Sequence, residues 1–479
     1  MIRNTEVGAK EQPTAPHHLK SLHPLWFIGL AVVLGTLPAL LSTSALRNAW
    51  KQNWILSPGD YLLQLLGFGL LAAGVVLALR KSGIARRMEL DEVHLARLER
   101  LATVLFWLTV LAYAVWFISA LFHGFGPGTM LSILAGKPGV SFEARDAFVT
   151  IPGVTTFTQM GPVAVASYTV LFRYRIKHTI PLIILFGLAA ARLVANSERL
   201  ALIEVVLPAL IVLALVPAQR GRREANTPKH APGLYFVSWA LAGLTVLTAL
   251  FAISERSRSF SEKSGGGSLW GYTIERLLGY YATATNNGAH YLHHVGPTLA
   301  RPETTLDWLW QFPVVGGLFA RLVGGRAPGF GQLWPAYLQA HSNPELNSPS
   351  FILPVFAEWG YILAPVVLIA VGFAIGRVYR ATKAGSLAAL LTYSVLVVGL
   401  MEIPRFFYFG LGRTAPLLLA CFVAKLVLDP SARMTRAMAA MAWAADPVKN
   451  AVKDAAGSVR RVVSSLRRGK PRPPSSTTP

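Results

Sequence analysis

Apolar residues come in blocks along this chain, and the blocks have similar lengths. Apolar runs cover 25–41, 61–79, 101–121, 154–172, 179–194, 200–216, 234–253, 351–375, 387–400 and 414–428. Runs of about 18 to 22 residues are long enough to cross a hydrocarbon core. In lipid they must be helical, because every backbone amide needs an internal partner. The pattern predicts an all-α polytopic membrane protein of about ten transmembrane helices. The longest interruption, 254–350, falls between the seventh and eighth runs. The expected organisation is therefore a polar segment at 1–24, helices over 25–253, a large loop at 254–350, helices over 351–428 and a basic tail at 429–479. Residues 80–100 read as a short interfacial helix, and 432–468 as a cationic amphipathic helix on an anionic inner leaflet.

Composition agrees. Only 14% of residues are charged, against about 25% in soluble domains. The net charge of +22 raises nucleic acid as a partner, but most of the 45 Lys and Arg fall in the segments of one predicted side. That bias places both termini in the cytoplasm and the long loop outside. It makes an anionic membrane face, and no nucleic acid, the partner of the charge. The single cysteine, Cys421, says nothing of redox compartment.

Ionisable residues within apolar runs are costly and usually face a partner or a cavity. Arg199 lies between two runs with almost no loop. Arg192 precedes it by two turns, and Glu204 follows one turn into the next run. One reading is a helix hairpin with Arg199 snorkelling to the headgroups and Glu204 paired to it. The other is an anion site at the outer surface, since the planar guanidinium fork suits phosphate oxygens. Arg405 and Arg413 occupy another outer turn among Phe406, Phe407, Tyr408 and Phe409. Interfacial anchoring would explain either pair; two pairs on one side point to a shared anion.

The loop 254–350 mixes arginines and histidines with aromatics, among them Tyr280, Tyr281, Trp308 and Trp310. Aromatic faces stack on the C–H faces of sugar rings and their edges tolerate water; the core of a small helical lid is the alternative. His290, His293 and His294 have helical spacing, but without an HExxH pattern they are read as a solvated cluster, and no metal is assigned. His341 opens a polar turn that leads to Glu358 and Gly360. A His or Glu in a surface cleft serves as a general base when its pKa lies near neutrality; a helix-capping turn is the other reading. The first outer loop carries Asp60 without an acidic neighbour. That argues against the lipid-phosphosugar glycosyltransferases marked by a paired acidic motif there.

Three places together resemble a known family. They are Asn196, Ser197, Glu198 and Arg199 leading into a leucine-rich helix with Glu204; Gly279, Tyr280, Tyr281, Asn286 and Asn287 within the loop; and Asn347 to Ser350 running to Glu358, Trp359 and Gly360. In order and sidedness they resemble the Wzy-like O-antigen and oligosaccharide repeat-unit polymerases, of the GT-C type of membrane glycosyltransferase, and more distantly the O-antigen ligases. The resemblance covers roughly 180–415. It implies an inverting, metal-independent transfer without cofactor at the outer face of the cytoplasmic membrane. A sugar hydroxyl attacks the anomeric carbon of a polyprenyl-diphosphate-linked oligosaccharide. The implied diphosphate ligands are Arg192, Arg199, Arg405 and Arg413, with Arg199, Glu358 and His341 catalytic. The implied sugar contacts are Tyr280, Tyr281, Asn286, Asn287, Trp308 and Trp310. Other proteins of envelope polysaccharide assembly are implied partners beside the lipid-linked glycan and the bilayer. Ligation of a finished glycan, and transport or flipping of an anionic lipid, are the alternatives. A carrier should show inverted repeats or helices broken at mid-membrane, and no paired interrupted segments are seen.

Overall fold

The computed structural model describes residues 18–80, 90–216, 267–296, 302–322 and 330–429, apart from 136, 138–139, 152, 175–177, 197 and 312–314, together with isolated positions between 238 and 255. All regular structure among the described residues is helical, and a lone parallel bridge joins Ser350 to Phe406. The main helices before the long interruption are α1 (Pro24–Leu41), α2 (Pro58–Leu79), α3 (Glu92–Phe122), α4 (Gly161–Arg173), α5 (Thr179–Asn196) and α6 (Leu200–Leu215). Then come α7 (Leu269–His290), α8 (Ile352–Lys383), α9 (Leu387–Glu402) and α10 (Ala415–Leu428). Helices α1, α2, α3 and α8 are long and apolar enough to cross a membrane, and α5, α6 and α9 are shorter apolar helices. The protein is thus membrane-embedded. The expected seventh run, 234–253, lies mostly outside the described residues, as do 1–17 and the tail helix expected at 432–468.

Local signals account for most helix starts. Ser57 and Asp60 form a capping box around Pro58 at the head of α2, satisfying amides that have no partner within the helix. Asp91 caps α3 through the His94 amide at 2.7 Å. The expected interfacial helix at 80–100 is therefore corrected over its second half: 92–100 are the first turns of α3, and 81–89 lie outside the described residues. The run at 154–172 divides into a 3₁₀ turn, Thr155–Met160, and α4, which opens on Gly161 and Pro162. Proline suits a first helical turn, where its missing N–H costs nothing. Helix α8 is broken at Gly360, with φ 68° and ψ 171°, a conformation essentially reserved for glycine.

Packing sorts the helix ends into two groups. At one end Arg173 donates to the carbonyls of Val216 (2.9 Å) and Leu213 (2.6 Å), Arg380 donates to that of Ala78 (3.0 Å), and His23 meets the Tyr379 ring edge-on. At the other end lie the turn before α6, the turns before α10 and the Ser350–Phe406 bridge. These are the groupings that strict alternation of the apolar runs predicts. Helices α2 and α8 approach closely through glycine. A Cβ on Gly74 would sit 2.2 Å from the Ile369 carbonyl oxygen, and one on Gly372 2.0 Å from that of Leu71. Small residues at such crossings let backbones meet, which is how helices associate where no hydrophobic force acts between them.

The interruption expected as a large loop is in part a buried helix. Helix α7 has 22 residues, and every residue from 279 to 290 is buried. Thr285 Oγ1 donates to the Gly35 carbonyl of α1 at 2.6 Å. Gly35 is about 9 Å below the end of α1 at 1.5 Å rise per residue. Gly279, Ala282, Ala284, Gly288 and Ala289 make the helix thin enough to pack this closely, and the Thr283 hydroxyl satisfies itself on the Gly279 carbonyl at 2.6 Å. A π-helical turn, Tyr291–Val295, follows. The short helices Asp307–Gln311, Val315–Leu322 and Phe330–His341 complete the segment.

Candidate functional site

The four arginines expected at an anion fall into two adjoining groups. Arg192, on the last turns of α5, holds Glu198 Oε2 through Nε at 2.8 Å and Nη2 at 2.6 Å. Arg413, in the 3₁₀ turn before α10, pairs with the other oxygen of Glu198. Its Nη2 also lies 3.9 Å from Glu204. Glu204 accepts from the Tyr408 hydroxyl at 2.8 Å and from Gln159 Nε2 at 3.2 Å. The reading that paired Glu204 with Arg199 is thereby corrected. One turn into α6, Glu204 faces the 3₁₀ turns that carry Gln159, Tyr408 and Arg413, whereas Arg199 faces α7.

Glu198 lies between the helices, outside the spanning segments. Burial opposes its ionisation, but the Arg192 and Arg413 guanidiniums outweigh that and bring its carboxyl down to about 2. It is therefore ionised at neutral pH and locks the α5–α6 turn to the head of α10.

The second group converges on one aromatic ring. The guanidinium carbons of Arg199, Arg276 and Arg405 stand 5.4, 5.9 and 5.4 Å from the centroid of Tyr280. Arg199 and Arg405, some two hundred positions apart, are thus separated by at most twice 5.4 Å. Each cation has a carboxylate: Arg199 pairs with Glu255, Arg276 with Glu345 at 2.5 Å and with Glu255 at 3.7 Å, and Arg405 with Glu402 at 2.9 Å. A guanidinium carries five N–H donors. The buried Nε atoms of Arg276, Arg405 and Arg413 have no hydrogen-bond partner among the described residues. The side chains of Arg405 and Arg413 are 23% and 29% exposed. The arrangement is a set of cations held in place by acids around one aromatic ring.

The other expected site residues have different surroundings. Glu358 accepts from Tyr291 Oη (2.9 Å), the amides of Thr304 (2.5 Å) and Thr305 (3.1 Å), and Thr305 Oγ1 (2.6 Å). Its carboxylate is spent on clasping that strand of loop to α8. Asp307 continues the clasp, accepting from the Gly412 amide at 2.8 Å beside Arg413. Burial raises the Asp307 carboxyl, against the pull of that amide. Asn286 and Asn287 are wholly buried. Asn286 accepts from the Ile55 and Leu56 amides, and Asn287 donates to the carbonyls of Leu346 and Ser348. Both hold loops rather than face open space. Tyr281 is buried and Tyr280 forms the floor under the arginines. Trp310 donates to the Pro302 carbonyl and meets Phe319 edge-on, and Trp308 is half-buried. His341 is exposed and stacks on Tyr337 at 4.4 Å.

The histidines are not one solvated cluster. His290 is buried between the Asn53 carbonyl and the Tyr337 hydroxyl, each within 3 Å. Burial holds its imidazole below the usual pKa, so it is neutral, with Nε2 donating to Asn53 and Nδ1 accepting from Tyr337. His293 meets Asp60 at 2.8 Å. No group of His, Cys, Asp or Glu among the described residues is arranged to hold a metal.

Sequence reading missed Arg276, Glu255, Glu345 and Glu402. The only available signal was the spacing of Arg276 and Tyr280 at i, i+4, which puts both on one helix face, provided the segment is read as a helix at all. Comparison of the chain with family models, with curated proteins and with solved structures finds no match.

Proposed function

We propose that this protein polymerises polyprenyl-diphosphate-linked oligosaccharide units into a surface polysaccharide at the outer face of the cytoplasmic membrane. The observation that carries the proposal is the convergence of Arg199, Arg276 and Arg405 on Tyr280, with Arg192 and Arg413 bound to Glu198 alongside. In the proposed reaction an acceptor hydroxyl forms a bond to the anomeric carbon. The bond from that carbon to the diphosphate oxygen breaks and its electron pair leaves with the diphosphate. The acceptor proton passes to a carboxylate. Diphosphate is a good leaving group, so the main requirement is preorganised positive charge in a site of low dielectric. Glu345, 32% exposed and paired with Arg276, is better placed for the proton than Glu358, whose oxygens are occupied.

About ten spans, with both termini cytoplasmic, belong to the same proposal. Two contacts support the seventh span. Val216 sits at the Arg173 end of the bundle, and Glu255 meets Arg199 at the other end. A reporter inserted near Gly266 is expected to read extracytoplasmic, and one after Arg223 or Arg380 cytoplasmic. A cytoplasmic reading at Gly266 would overturn the orientation.

The functional test is mass spectrometry of surface glycan from cells lacking the protein. Loss of polymer with single repeat units retained on the acceptor is the expected result. Loss of all attached glycan indicates ligation instead, and an unchanged glycan removes the proposal.

A further inference from the structure

A cavity of about 310 Å³ opens between the end of the short helix Ser44–Ala49 and the first turns of α7. Its lining includes Trp50, Ser268, Gly271, Tyr272, Glu275 and Arg276. The volume is at the lower end of the 300–1,000 Å³ range of small-ligand pockets. Its chemistry is mixed, with two aromatic side chains, one acid, one base and a hydroxyl. Arg276 is 8% exposed, and its Nε has no hydrogen-bond partner among the described residues. That Nε lies 3.7 Å from Glu255 Oε2. The same guanidinium lies 5.9 Å from the Tyr280 centroid, so the cavity adjoins the arginine cluster through a shared residue. The cavity lining has one acid, Glu275, and one base, Arg276, and carries no excess of positive charge.

We propose that this cavity binds a neutral carbohydrate ring of the glycan, next to the arginines that take the diphosphate. The Tyr272 ring for C–H groups, with one acid and one base for hydroxyls, suits a polyhydroxylated ring and would not select a bare phosphate. Placement beside Arg276 sets the ring within reach of an anion held over Tyr280. The inference rests on the glycan-transfer reading above for the identity of the ligand.

The test uses the full-length protein in nanodiscs. The probe is the free oligosaccharide released by mild acid from lipid-linked units of cells that lack the protein, which bears no phosphate. Binding is read by saturation-transfer NMR for the wild type, Gly271→Phe and Tyr272→Ala. Gly271 is exposed on the first turn of α7, and a Cβ there meets only the Ser268 hydroxyl, at 3.0 Å, so phenylalanine fills the cavity without entering the core. The expected result is binding to the wild type and at least a tenfold loss in both variants, at unchanged melting temperature. Equal binding by the variants, or no binding by the wild type, overturns the cavity assignment. Binding that follows this pattern in a protein that makes no polymer from the lipid-linked units leaves the cavity standing and removes the transfer reading.

Discussion

Replacing Arg199 by lysine is expected to lower glycan transfer strongly, and replacing it by alanine to lower it by about 10²–10³-fold, the scale of losing one preorganised oxyanion donor. Lysine keeps the charge and loses the planar fork that grips two oxygens at once. The surroundings of Arg199 sharpen the comparison. It is 9% exposed, paired with Glu255 and aimed at Tyr280. A snorkelling residue would instead be exposed. An arginine that merely anchors the helix end requires only a charge, so lysine would then substitute freely. Arg405→Lys approaches the same ring from the end of α9 and should lower transfer in the same way. The measurement is polymer formed per cell at matched membrane abundance, with melting temperatures recorded to separate activity from folding. Full activity of both lysine variants would remove the diphosphate site.

Glu198→Ala is expected to destabilise the protein by about 3–5 kcal/mol, because removing one partner of a buried ion pair leaves the other charge uncompensated. The side chains of Arg192 and Glu198 are only 7% and 19% exposed, so water does little for the orphaned cation. Arg413 would lose the closer of its two acids at the same time and keep Glu204 at 3.9 Å, which weakens the link between the α5–α6 turn and the head of α10. The same residue sets an acid limit. Its carboxyl sits at about 2 in the folded protein against an ordinary 4.5. A carboxyl depressed on folding contributes stability that is complete above its unfolded pKa and is lost as pH falls toward its folded one. The wild-type melting temperature in detergent should therefore fall between about pH 4.5 and 2. Glu198→Gln, which mimics the protonated form, should melt lower at pH 7 and show a flatter acid limb. A Gln variant as stable as the wild type at pH 7 would show that the pair contributes nothing.

Apolar run length was enough to establish the all-helical, membrane-embedded class, because in lipid the backbone has no other way to pair its amides. The described helices α1 to α6 and α8 to α10 fall on the predicted runs, and their ends group as alternation requires. Arg192, Arg199, Arg405 and Arg413 were identifiable individually, because charge at membrane depth stands out against an apolar background. Their grouping was not legible. Whether Glu204 faces Arg199 or Tyr408 depends on the rotation of α6 against its neighbours, and hydropathy does not encode that rotation in a helix that is apolar almost all round. Helix α7 was hidden for a related reason. Its polar and small residues mimic a loop, because it buries threonine, asparagine and histidine against the backbone of α1 and of the segment between α1 and α2. Those contacts join residues more than two hundred positions apart, and only the folded chain supplies the partners that make burying such groups affordable. For the same reason Asn286, Asn287 and Glu358 looked like ligand residues in the sequence and are clasps in the structure. A polar side chain that holds two loops together and one that holds a sugar have the same composition, and only tertiary contact distinguishes them.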